Sequence, residues 1–338
     1  MRKKLLLIAT GGTIASVENG NGLSPGVDAL SLIGLVPELK NVGDITALPV
    51  LNTDSSNMQP EDWVTIAKCV IEHEGDFDGI VITHGTDTMA YTSSALSYML
   101  CGIDKPVILT GSQLPIGANG SDAPKNLLDA FKTACSEELR GVFVVFAGRI
   151  IRGCRAVKFS SSAIDAFRSV NSADVGRVDK NSVTVNTKIL KNRAVKQYMP
   201  VVDNRVFLAK LVSGFDPKVL SMAALMDYRA VIIEGFGAGG VPVSGRSILP
   251  ELKMLNEKGI TAVVTTQCVD GACDMTVYEV GRRALESGAL SSGDITLEAL
   301  VTKMMWILGQ TDSQEEIKRL LFTDICGEIS AHSRDGIY

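Results

Sequence analysis

Short, uninterrupted apolar runs alternate with helically patterned stretches along the first half of the chain. Leu5–Ala9, Gly79–Thr83, Val107–Thr110 and Val142–Phe146 are rich in Val, Ile and Leu and bounded by Gly or Pro. Runs of this kind read as strands buried on both faces, the pattern of a parallel sheet. Between them, Gln59-Pro60-Glu61-Asp62 places Pro and acids at a helix start ahead of Trp63–His73. Asp87–Leu100 and Asp122–Cys135 read as helices in the same manner. Strand alternating with helix predicts a doubly wound, mostly parallel α/β sheet.

Residues 187–204 break this rhythm with four basic residues, a Pro and weak periodicity. The pattern therefore predicts a larger N-terminal α/β domain over 1–186, a linker over 187–204 and a smaller C-terminal α/β domain over 205–338. In the last of these, Val206–Leu211, Ala230–Glu234 and Ile260–Gln267 read as strands. Helices are expected after Asp216-Pro217, after Val241–Ile248, and at Val277–Ser287 and Leu297–Leu308.

Composition narrows the possible partners. Apolar residues make up 46% and charged residues 21%, which suits a soluble globular chain with a large core. A net charge of −5 argues against a broad surface for nucleic acid or anionic lipid. No apolar run approaches the ~20 residues of a membrane-spanning helix. The N-terminus imitates a secretion signal, with Arg2-Lys3-Lys4 ahead of Leu5–Ala9. That core is short of the roughly 7–15 apolar residues such a signal uses, and Thr10-Gly11-Gly12-Thr13 interrupts it. A buried first strand and a cytoplasmic location are the expectation. The seven cysteines are odd in number and scattered, which fits reduced thiols. Cys268 and Cys273 have no second Cys/His cluster nearby, so a zinc site is not expected.

In open parallel sheets ligands collect at the carboxyl ends of the strands. Three such ends carry small and hydroxyl-bearing residues: Thr10-Gly11-Gly12-Thr13, Thr83-His84-Gly85-Thr86-Asp87-Thr88 and Thr110-Gly111-Ser112-Gln113. Gly11-Gly12 followed by Thr-Ile-Ala lacks the G-x-G-x-x-G spacing of a dinucleotide loop, and no phosphate-binding G-x-x-x-x-G-K-[ST] pattern is present. Gly11 and Gly12 permit an unusual turn and close approach of a ligand to the backbone. Thr13 would then stand at the mouth of the sheet, where a hydroxyl can attack an acyl carbon if a neighbour takes its proton. Asp87 has three readings: a helix cap, a partner for a substrate ammonium, or an orienter of a lysine. His84 reads as a hydrogen-bonded structural histidine, since no Ser-His-Asp order surrounds it. Asn52-Thr53-Asp54-Ser55-Ser56-Asn57-Met58 reads either as a helix-entry loop or as a cradle for a carboxylate.

Taken together, these stretches resemble the bacterial-type L-asparaginase family, particularly its cytoplasmic type I branch. The resemblance spans essentially the whole chain. It rests on TGGTIAS (10–16), TDSSNMQPEDW (53–63), VITHGTDTMAYT (81–92), PVILTGSQLP (106–115), AVKFSS (156–161) and TTQC (265–268). It implies hydrolysis of the side-chain amide of L-asparagine to aspartate and ammonia, with no metal or organic cofactor, in a homodimer or homotetramer. Carried onto this sequence, it implies Thr13 as the nucleophile that forms an acyl-enzyme. Thr86, Lys158 and Asp87 match a second catalytic set, in which Lys158 helps a hydroxyl lose its proton and Asp87 orients Lys158. Asp87 would also contact the substrate amino group, and Ser55, with Asp54 and Ser56 beside it, would bind the α-carboxylate.

One departure stands out. Many members carry a tyrosine on a mobile flap roughly ten residues after the nucleophile, and Leu23 occupies that place here. A Gly/Asn-rich stretch at 19–26 suits such a lid. Leu23 motivates the alternative of a catalytically silent or altered-specificity amino-acid-binding homologue. A second alternative, the amidase subunit of a tRNA-dependent amidotransferase, calls for an added domain before TGGT, where this sequence has nine residues.

Overall fold

A computed structural model describes residues 2–18, 23–25, 29–180, 182–190 and 196–330. The chain divides into two compact units, Met1–Pro200 and Val201–Tyr338.

The N-terminal unit is built on four parallel strands that follow the apolar runs. The first is β1 (Lys4–Gly11); two short strands, β2 (Ser16–Glu18) and β3 (Leu23–Pro25), and a helix α1 (Ala29–Gly34) then lead to an added strand, β4 (Asp44–Thr53). Helix α2 (Pro60–His73) leads to β5 (Gly79–Thr83), α3 (Met89–Met99) to β6 (Pro106–Thr110), and α4 (Ala123–Ala134) to β7 (Gly141–Phe146). There the chain reverses into β8 (Arg149–Arg152), followed by β9 (Ala156–Lys158), β10 (Phe167–Ser169), β11 (Gly176–Val178) and β12 (Val183–Val185). The sheet order is β12-β11-β8-β7-β6-β5-β1-β4, parallel from β7 through β4 and antiparallel beyond. β5 and β6 are buried at every position, as strands covered on both faces must be. Packed beneath them, Leu5, Leu7, Val81, Ile108, Leu127 and Phe131 form part of one apolar core.

The long strand β4 and the antiparallel extension were not expected from the apolar runs. β4 is an edge strand with exposed and half-buried positions along its whole length. It carries Pro49, tolerable because an edge leaves one ladder unused. Helix starts follow local chemistry: the Asp62 carboxylate accepts from the Gln59 amide at 2.8 Å, with Pro60 in the first turn of α2. Part of the segment expected as a linker lies on the N-terminal unit, where Gln197 N donates to Cys101 O at 3.0 Å and Met199 N to Met99 O at 3.0 Å. Residues 191–195 of that segment lie outside the described residues.

The C-terminal unit has four parallel strands, β13 (Val206–Lys210), β14 (Ala230–Gly235), β15 (Thr261–Thr266) and β16 (Leu290–Ser291), in that order. Helices α5 (Lys218–Leu225), α6 (Leu249–Glu257), α7 (Glu279–Glu286), α8 (Leu297–Leu308) and α9 (Gln314–Phe322) complete it. Lys303 of α8 and Glu328 form an ion pair of 2.6 Å with both side chains fully buried. Lys303 Nζ also donates to the carbonyls of Leu321 and Thr323 at 2.9 and 2.7 Å. No helix among the described residues is long and apolar enough to cross a membrane. All seven cysteines are free thiols.

Candidate active site

Because β1, β4, β5 and β6 are neighbours and parallel, their carboxyl ends open on one side of the sheet. Three of these ends meet through glycine backbone. Gly11 and Gly12 have φ of +104° and +86°, a conformation that only glycine adopts freely. A Cβ on Gly12 would lie 2.3 Å from the Gly85 amide nitrogen, and one on Gly11 would lie 2.6 Å from Thr53 N. A Cβ on Gly85 would in turn lie 2.5 Å from Ser55 Oγ. The glycines thus press the turn before Thr13 against the turn carrying Thr86, and that turn against Ser55. Thr13 follows at once, half-buried, at the head of a single 3-10 turn. The chain then runs into the hairpin of β2 and β3, where Glu18 pairs with Leu23. Positions 19–22 and 26 of the expected lid lie outside the described residues.

The loop after β4 is the helix entry that the sequence allowed. It enters α2, and it also ends a strand at the site. Ser55 is buried, and the Thr88 hydroxyl donates to its carbonyl at 2.8 Å. Asp54 accepts from Ser56 N at 2.8 Å, and both side chains stand on the exposed rim.

Thr86 and Asp87 leave β5 just before α3. The cap position of that helix is Thr88, so Asp87 does not cap it. Its carboxylate instead accepts from Lys158 Nζ at 2.6 Å, and the same Nζ donates to Thr86 Oγ1 at 2.7 Å. Thr86 is buried, Lys158 keeps 15% of its side-chain exposure and Asp87 keeps 62%. The amine is thus held on the protein side and the carboxylate faces out.

Lys158 reaches this position by a long detour. The chain turns at Ala147-Gly148, both with positive φ, and β8 runs back antiparallel to β7. The turn at Gly153–Arg155 then packs on α3, where the Ser93 hydroxyl donates to Gly153 O at 2.8 Å. Only glycine fits there, since a Cβ would lie 2.6 Å from Ser97 Oγ. From this anchor β9 ends at Lys158, paired with Phe167 of β10, whose ring packs on Phe146 at 4.9 Å between centroids.

Gln113, given no role from the sequence, also belongs to the cluster. Thr86 Oγ1 donates to Gln113 Oε1 at 3.2 Å, and Gln113 Nε2 donates to Ala163 O at 3.1 Å. Its signal was its place at the fourth strand end, beside Ser112. The Ser112 hydroxyl itself is spent within the turn, donating to Leu114 O at 2.6 Å.

His84 is fully buried and bonded at both ring nitrogens. Nδ1 donates to Gly85 O at 2.7 Å, which leaves Nε2 to accept from the Thr92 hydroxyl at 2.9 Å. Burial lowers its pKa from 6.5 to about 4, against the opposing pull of the Gly85 carbonyl. It ties the end of β5 to α3 as a neutral ring.

The first of the two α/β units thus gathers hydroxyls, a carboxylate and an amine at its strand ends. Residues 4–191 match the family described as Asparaginase, N-terminal, and residues 205–321 match the Glutaminase/Asparaginase C-terminal domain. The L-asparaginase of Thermococcus kodakarensis is 43% identical over 97% of this chain and 99% of its own. The solved structure of the thermostable L-asparaginase from that organism superposes with a TM-score of 0.91 at 42% identity, covering 97% of this chain and 99% of that one. L-asparaginase I of Vibrio cholerae superposes with a TM-score of 0.86 at 31% identity, covering 98% and 100%. A glutamyl-tRNA(Gln) amidotransferase subunit of Pyrococcus abyssi is 33% identical over 99% of this chain and 78% of its own. The chain belongs to the asparaginase family, in its type I branch.

Proposed function

We propose that this enzyme hydrolyses the side-chain amide of L-asparagine to L-aspartate and ammonia, through an acyl-enzyme on Thr13. The observation that carries the reading is the Thr86–Lys158–Asp87 triplet, with Lys158 Nζ at 2.7 Å from one hydroxyl and 2.6 Å from the carboxylate. The Thr13 hydroxyl attacks the amide carbon and gives up its proton, the C–N bond breaks, and the departing nitrogen takes that proton to leave as ammonia. Water then attacks the ester carbon of the acyl-enzyme, assisted by Thr86 and Lys158, and aspartate departs as the Thr13 hydroxyl is restored. Asp87 has two uses in this scheme. Its carboxylate orients Lys158, and its exposed face receives the substrate ammonium. Buried Ser55, flanked by Asp54 and Ser56, receives the α-carboxylate.

Relatives named L-asparaginase that align end to end with this chain support the reading. A cytoplasmic protein acting as a homodimer or homotetramer, with domains over 1–186 and 205–338 joined by 187–204, accords with it. The test is ammonia release from L-Asn and L-Gln. Thr13→Ala and Thr86→Val are expected to abolish release from L-Asn while circular dichroism stays unchanged. Undiminished turnover in either variant removes that residue from the mechanism. Leu23 favours a second reading, an amino-acid-binding homologue without turnover, since no hydroxyl occupies that position. Binding of L-Asn by calorimetry without ammonia release selects it.

A further inference from the structure

We propose that Gln113 is a positioning residue that sets the direction of the Thr86 hydroxyl and, through it, the proton affinity of Lys158. This assignment rests on the reading of Thr86 and Lys158 as the reacting pair. Gln113 is fixed at three points. Its amide nitrogen donates to both carboxylate oxygens of Asp122 at 3.1 and 3.0 Å. Its side-chain Nε2 is committed to Ala163 O at 3.1 Å. A side-chain amide with its nitrogen so committed presents its oxygen on the other side, and that oxygen lies 3.2 Å from Thr86 Oγ1. Asp122 is itself held, because Asn126 Nδ2 donates to it at 3.0 Å and to Gly111 O at 3.0 Å.

The consequence follows from hydrogen-bond inventory. Thr86 has one hydroxyl proton. Pointed at Gln113 Oε1, it leaves the oxygen lone pairs free to accept from the Lys158 ammonium. A neutral Lys158 keeps two N–H donors, and it accepts the Thr86 proton only when that proton turns from Gln113 towards Nζ. Gln113 therefore favours the charged lysine, and releasing Thr86 from Gln113 is part of every transfer to the amine. Thr86 is buried, so a proton without an acceptor there is costly.

Other charged groups lie against Lys158 itself and on the elements next to it: Asp87, Arg168 and Arg155. Asp87 bonds it directly. From β10, Arg168 pairs with Val157 in the ladder and lies over the Phe159 ring at 4.2 Å. Arg155 is buried in the turn ahead of β9.

The experiment follows Lys158 by NMR in the full-length protein carrying 13Cε-labelled lysine, with the signal assigned by its loss in Lys158→Met. Gln113→Met removes the acceptor and is expected to lower the pH at which Lys158 titrates. Gln113→Glu places a carboxylate there and is expected to raise it. Opposite signs are the discriminating result, since a merely loosened loop moves both variants the same way. The acid limb of the kcat–pH profile is expected to move in parallel, with kcat at its plateau lowered about tenfold and KM changed less than kcat. Lys158 titrating at one pH in all three proteins overturns the proposal, as do shifts of the same sign. The titration needs no turnover. A protein that releases no ammonia from L-Asn therefore overturns the proposed reaction and leaves the Gln113 result to be read independently. If Gln113→Met does not fold, Gln113→Ala takes its place in the same comparison with Gln113→Glu.

Discussion

His84 precedes Thr86 by two residues, and its burial ties the stability of the fold to pH. In the unfolded chain its ring titrates at 6.5, and in the folded protein at about 4. Between those values the unfolded state binds a proton that the folded state refuses, so unfolding gains as pH falls. The penalty is absent well above pH 6.5 and reaches about 3 kcal/mol once the pH falls below the folded value. Urea unfolding of the parent protein is expected to show this loss, and His84→Asn is expected to flatten it. An equal acid loss in both proteins assigns the effect to other groups. The role of His84 was legible from sequence, since an imidazole on an apolar strand without local partners is a core group. Lys158 was not legible in that way. A lysine between Val157 and Phe159 looks like a surface residue reaching for water, and what fixes it is a hairpin that no local pattern reveals.

At the scale of elements, the parallel strands and their helices followed from the apolar runs, because strands covered on both faces have no polar positions to obscure them. Edge strand β4 escaped for the converse reason: one face and one ladder are open, so its residues alternate imperfectly and include Pro49. That omission explains why the stretch 52–58 did not read as the end of a strand. The turn after β1 is where element geometry is most exacting. Gly12→Ala meets both a strained φ of +86° and backbone 2.3 Å away. The conformational part alone is about 1–2 kcal/mol, and the overlap adds to it. A loss of at least about 2 kcal/mol is expected in urea titrations, with ammonia release falling as the Thr13 turn moves off Gly85. Gly75→Ala is the control, since its Cβ would meet nothing within 4 Å. Equal stability of the two variants contradicts the close approach.

For the molecule as a whole, division into a larger and a smaller α/β unit was readable from the alternation of runs. Helix α9 and the buried pair behind it were not, because a salt bridge between Lys303 and Glu328 leaves no periodic trace. Burial alone would raise the Glu328 pKa, but the Lys303 ammonium and the amides of Ile325 and Cys326 outweigh it and hold it well below the usual carboxylate range. The pair's contribution is thus present above pH 4.5 and drains away as pH falls towards the lowered folded pKa. Lys303→Met leaves a buried carboxylate without its cation and is expected to cost about 3–5 kcal/mol. Chemical denaturation followed by a probe in the C-terminal unit reads this loss, and an unchanged midpoint would refute the pair's structural weight.

The detour through β8 and β9 also sets an order in time. A chain emerges from the ribosome N-terminus first, and its segments begin to fold in that order. Thr13, Ser55, Thr86 and Gln113 are all synthesised before the hairpin that delivers Lys158. The nascent protein therefore carries its hydroxyls for some 45 residues of synthesis beyond Gln113 before the amine that partners Thr86 exists. Chain growth itself keeps the pair apart until β9 has been made.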